Sequence, residues 1–117
     1  MSQQFTMKKL IVISFLFFAS AAVAQLSGDI VRDGRQLLEG DSYMMQGSHN
    51  GKLVFDIAVN SEGEITAVKF IPSKSTISST PARIKAQQYI ANWKFEKGTA
   101  FPKFHQGTIT LTMVREL

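Results

Sequence analysis

The sequence predicts an α+β domain: a three-stranded antiparallel sheet, in the order 2-1-3, with one helix packed on one face. Three observations predict it. Residues 52–59, KLVFDIAV, put Leu53, Phe55, Ile57 and Val59 on one face and Asp56 on the other, the period-two pattern of a half-buried strand. Residues 64–71, EITAVKFI, follow after the turn NSEG and read as the return strand. Residues 81–95, PARIKAQQYIANWKF, place Ala86, Tyr89, Ile90 and Trp93 at i, i+3, i+4 and i+7, with Ala82 extending the stripe backwards.

In the hairpin, Asn60 and Gly63 hold the positions that tolerate a left-handed backbone. Pairing Asn60 with Gly63 sets Phe70 opposite Leu53 and Val68 opposite Phe55, which joins the apolar faces. Ile65 is then out of phase, so a bulge is expected beside Gly63. Pro72 ends the second strand, and SKSTISST, residues 73–80, reads as a polar loop. Thr80 is the expected helix cap, with Pro81 at the first helical position. The opposite helix side carries Arg83, Gln87, Gln88 and Asn92. Trp93 ends the buried stripe, so Trp93 and Phe95 are expected to close the core rather than to bind a ligand. The expected core is Phe55, Ile57, Val68, Phe70, Tyr89, Ile90, Trp93 and Phe95.

After a loop holding Gly98 and Pro102, residues 107–117, GTITLTMVREL, alternate again. Ile109, Leu111 and Met113 form one face; Thr108, Thr110, Thr112 and Val114 form the other. The helix carries the chain back across the sheet, so this third strand joins antiparallel to the first. Its outer side is expected to be a free edge, a template for strand addition or for pairing with a second copy.

The segment ahead of this domain divides in two. Lys8 and Lys9, an apolar run of about 15 residues and the closing Ala22-Val23-Ala24 predict a secretory signal, residues 1–24, cut before Gln25. A membrane span needs roughly 20 residues. The expected location is periplasmic or otherwise exported; an uncleaved segment would instead anchor the chain in the inner membrane. Residues 25–50 form an extension, with a short hairpin expected at Asp33-Gly34 and loop over EGDSYMMQGSHNG. The domain itself is expected over residues 51–117.

Composition narrows function. Removing Lys8 and Lys9 from the 13 basic residues leaves 11 against 9 acidic ones, without a basic run. That gives no nucleic-acid footprint. There is no cysteine, which excludes disulfides, thiol chemistry and cysteine–zinc sites. His49 and His105 lie among polar loop residues with no second ligand at metal spacing, and are expected to be solvated. Asp56 and Glu64 are not marked as an acid–base pair. No His or Lys is positioned to activate a hydroxyl of Ser73–Thr80. Lys74, Lys94, Lys97 and Lys103 are expected to solvate loops and the helix end, with an acidic partner as their functional reading. No enzyme, cofactor, metal or small-molecule substrate is expected.

The ordered set GKLVFDIAVNSEGEITAVK, the loop with STISST, the helix ending in YIANWKF, and GTITLTM resembles the C-terminal domain of the TonB energy transducer family. The match runs over about residues 50–115, and its loop and ending are most similar to versions common in Bacteroidetes. The resemblance implies a non-enzymatic periplasmic module, here a short exported stand-alone domain. It implies that an extended peptide, such as a segment of an outer-membrane receptor, adds as a strand to the last strand's edge. Carried onto this chain, that edge is Thr108, Ile109, Thr110, Leu111, Thr112, Met113 and Val114. The alternative is an envelope structural protein that forms a homodimer through the same edge.

Overall fold

A computed structural model describes residues 24–40 and 42–116. The expected signal segment therefore falls outside the described residues, apart from Ala24. Among the described residues, no helix is long and apolar enough to cross a membrane.

The elements in chain order are β1 (Leu26–Ser27), α1 (Asp29–Arg32), β2 (Leu37–Glu39), β3 (Met44–Gly47), β4 (Gly51–Val59) and β5 (Ile65–Phe70). A 3-10 turn at Pro72–Lys74 follows, then α2 (Thr80–Ala91), β6 (Lys94–Phe95) and β7 (His105–Arg115). The fold is α+β, mostly strand, with one main helix. Its sheet has five strands rather than the expected three. β4 lies between β5 and β7, antiparallel to both. On its other side β7 takes β1, antiparallel, and β3, parallel. β2 and β6 form a separate two-stranded sheet.

One face of the sheet carries the core. Leu53, Phe55, Ile57 and Val59 of β4 meet Ile109, Leu111 and Met113 of β7, and α2 supplies Ala82, Ala86 and Ile90. Tyr89, Val68 and Phe70 are half-buried against this cluster, and Phe95 and Trp93 are buried in it. Trp93 is 2% exposed and meets Tyr43 and Tyr89 edge-on, at ring-centroid distances of 5.2 and 6.1 Å. Edge-to-face geometry suits the aromatic quadrupoles. The indole Nε1 has no hydrogen-bond partner among the described residues.

The β4–β5 register differs from the expected one by two residues: Phe70 pairs with Phe55 and Val68 with Ile57. Two local insertions account for it. Gly63 N–H donates to Asn60 O and Asn60 N–H to Glu64 O, both at 3.0 Å, so the turn itself takes the residues 61–63. A second shift falls between Ala58 and Val59 and takes up Thr66. An even shift keeps every side chain on its face, which is why the apolar pattern survives it. Gly63 has φ of +81°, and a Cβ there would collide with the Phe95 carbonyl. The chain after β5 is more ordered than a polar loop. Ser75 Oγ accepts from Val54 N–H at 2.9 Å and Thr76 Oγ1 from Lys52 N–H at 2.8 Å. Two hydroxyls thus continue the ladder along β4.

Ser79, not Thr80, caps α2: its Oγ accepts from Ala82 N–H at 3.3 Å. The expected hairpin at Asp33-Gly34 is replaced by a helix end. Arg35 N–H donates to Ile30 O and Gly34 N–H to Val31 O, both at 3.0 Å. This is a Schellman termination with Gly34 at φ +74°. An Asp-Gly pair supplies positive φ to either device, and the burial of Ile30 in the core selects the helical one.

Candidate binding edge

β7 was the expected free edge, and the structure closes it. Its odd residues turn their backbone groups toward β4 and its even residues turn theirs outward. Thr110 N–H donates to Gln25 O at 2.9 Å and Thr112 N–H to Tyr43 O at 2.8 Å. Thr108 and Ile109 pair with Ser27 and Leu26; Met113 and Val114 pair with Met45 and Gln46. Ile109, Leu111 and Met113 point into the core. On the other face Thr108 Oγ1 donates to Asp56 Oδ1 at 2.8 Å. Strands β1 and β3, from the extension read as turn and loop, fill the place a partner strand would take.

Among the described residues the sheet ends on one side at the short strands β1 and β3, of two and four residues, and on the other at the longer β5. Ile71 N–H donates to Val54 O at 2.8 Å. Lys69 and Ala67, two and four residues earlier, turn toward β4 in the same way, so the N–H and C=O of Val68 and Phe70 point away from it. No strand pairs with that side among the described residues. The edge is bounded at both ends. At its start, Phe95 N–H donates to Gly63 O at 2.8 Å and Lys94 Nζ lies 3.6 Å from Glu64 Oε2. At its end, Pro72 lacks a donor and the chain continues along β4 through the Ser75 and Thr76 hydroxyls.

The two faces of this edge carry cations. On the core face the Arg83 guanidinium lies over the Phe70 ring, 5.6 Å from its centroid, and its Nε–H is buried without an acceptor. On the open face Lys69 stands across from Asp56 in register with no ion pair among the described residues, and Asp56 Oδ1 accepts from the Thr108 hydroxyl. Lys69, Asp56, Ala58, Ala67 and Gln106 line a shallow trough of about 410 Å³.

A second polar cluster was not legible in the sequence. His105 is not a solvated loop residue: it opens β7 and is 1% exposed. Arg35, 3% exposed, donates from Nε to Glu96 O at 2.8 Å and from Nη2 to Asn60 O at 2.7 Å. Its Nη1 lies 3.3 Å from His105 Nδ1. Because arginine only donates, Nδ1 is the acceptor, and the ring proton sits on Nε2, which donates to Asp33 Oδ2 at 2.8 Å. Phe101 stacks on His105 and receives the Arg35 guanidinium 4.6 Å above its ring. The hydrogen bond from His105 holds the Asp33 carboxyl below its usual range, helped by Arg32. Burial lowers the Arg35 pKa, with Glu96 opposing; the guanidinium stays charged. The cluster joins the extension to β7, and among the described residues both His105 ring nitrogens are engaged, by Arg35 and Asp33. His49 is half-buried and, among the described residues, bonds the adjacent Ser48, Oγ to Nδ1 at 2.7 Å.

Among the described residues no three His, Cys, Asp or Glu side chains gather as a metal site. Lys94 is paired with Glu64; Lys74 and Lys103 are exposed. Compared with protein-family models, curated proteins and solved structures, the chain matches none.

Proposed function

We propose that this chain is a non-enzymatic binding module that takes an extended peptide by strand addition along β5. One observation carries the reading: Val68 and Phe70 present outward backbone donors and acceptors along the longest unpaired strand edge among the described residues, while the outer side of β7 is covered by β1 and β3. An open edge with a matched row of N–H and C=O groups is the recognition element of β-augmentation. The fold supports it too. The hairpin, the helix ending at Trp93 and the closing strand follow the order that resembles TonB C-terminal domains, and on that likeness the module is exported and its peptide is a segment of an outer-membrane receptor. The docking edge proposed is the hairpin's second strand, because the last strand is occupied.

Backbone amide exchange tests this. A bound peptide should slow exchange at Val68 and Phe70 and leave Thr110 and Thr112, already bonded, unchanged. Protection at Thr110 and Thr112 alone would return the site to β7 and reject β5.

A further inference from the structure

We infer that the strand received by β5 is acidic, with two adjacent carboxylate side chains set opposite Lys69 and Phe70. This rests on the proposal that β5 is the binding edge. An added strand points successive side chains to opposite faces of the sheet. The residue beside Phe70 therefore faces the α2 side and meets Arg83. Its neighbour beside Lys69 faces the open side and meets the Lys69 ammonium. Both cations lack an ion pair among the described residues, and Arg83 keeps a buried Nε–H with no acceptor. A carboxylate on the added strand pairs with the guanidinium through charge-assisted hydrogen bonds. Stacking on Phe70 holds the guanidinium at the edge, so little of its freedom is left to lose. The nearest acid on β5's own flank, Glu64, is engaged by Lys94.

The same charges argue against a second copy of this chain as the occupant. Two β5 strands paired antiparallel would gather two Arg83 and two Lys69 side chains along one seam, with both Glu64 carboxylates already taken.

The test uses the protein as recovered from cells and two capped hexapeptides, Thr-Val-Glu-Glu-Val-Thr and its Gln-Gln counterpart. Affinity is read by fluorescence anisotropy and the docking place by the Val68 and Phe70 amide resonances. The Glu-Glu peptide should bind at least about tenfold tighter than the Gln-Gln peptide, with an affinity that falls as salt rises. Arg83→Gln should cost about fivefold or more, and Lys69→Gln about two- to threefold. Lys69 is exposed, so its variant keeps the test meaningful if Arg83→Gln unfolds. Equal binding of both peptides at Val68 and Phe70 would overturn the acidic preference and leave strand addition standing. Silence of those amides toward both peptides would remove the binding edge itself, and this inference with it. Dimerisation that grows with concentration and perturbs Val68 and Phe70 would make a second copy the occupant and overturn the proposal.

Discussion

β7 and β5 flank the same strand, β4, and both alternate apolar with polar residues, yet one is closed and the other open. Along β7 the outward N–H groups of Thr110 and Thr112 meet the carbonyls of Gln25 and Tyr43. Along β5 those of Val68 and Phe70 meet no strand among the described residues. Edge character is thus not written in a strand's own pattern. It is decided by residues 25–47, which lie far from β7 in the chain and are tied to it through Arg35, His105 and Ile30. The two edges should accordingly respond to different substitutions.

Trp93→Ala should have the largest effect. It empties a 2%-exposed site and removes the contact with Tyr43, whose carbonyl caps Thr112. A loss of about 3–5 kcal/mol is expected in chemical denaturation. A folded Trp93→Ala protein that had lost only peptide binding would instead make the indole a ligand contact. Arg35→Met comes next. It leaves the part-buried Glu96 carbonyl without its donor and removes one of the two bonds to Asn60 O, which keeps Gly63 N–H, for about 1–3 kcal/mol. Amide exchange should accelerate first at Thr110 and Thr112; acceleration first at Val54 or Ile57 would mean that the cluster supports the whole sheet rather than its closed edge.

Two prolines separate the edges directly. Thr110→Pro removes the bond to Gln25 and should cost about 2–3 kcal/mol while leaving peptide affinity intact. Val68→Pro has no ladder bond to lose, so it should cost only about 1–2 kcal/mol, from packing, yet abolish strand addition. Binding that survives Val68→Pro but not Thr110→Pro would reverse the assignment.

Acid gives the smallest effect. The hydrogen bond from His105 holds the folded-state pKa of Asp33 below the ordinary carboxylate value. Its contribution is therefore complete above that value and is lost as pH falls through the lowered folded pKa. Asp33→Asn should lower stability at neutral pH, where that contribution is complete, and flatten the profile in the acid range, so that variant and parent converge at low pH. A profile identical to that of the parent protein would deny the His105–Asp33 bond any role in stability.

The hairpin and α2 were legible because their signals are local. Four alternating apolar residues in β4 and the stripe from Ala82 to Trp93 each repeat over a window that a periodicity can fill. The extension was not legible, for a physical reason. β1 spans two residues and β3 four, too few for a period, and both exist because β7 offers them partners more than 60 residues away. MMQG reads as loop until Met45 is buried beside Met113. His105 was missed likewise: its neighbours Pro102, Lys103 and Gln106 are polar or turn-forming, while Asp33 and Arg35 arrive from the other end of the chain. The one available signal was the Asp-Gly-Arg run, in which a Schellman ending turns the residue after glycine inward. The register slipped by two because bulges leave little mark in sequence, although Ile65 out of phase betrayed one of them.

Among the described strands β7 comes last in chain order and is also the most connected, pairing with β1, β3 and β4. Until residues 105–115 leave the ribosome, β1 and β3 have no strand to join and β4 can pair only with β5. Closure waits for contacts such as Leu26 with Ile109, whose long sequence separation slows folding. The order of the strands along the chain thus postpones closure of the sheet until its most connected strand is available.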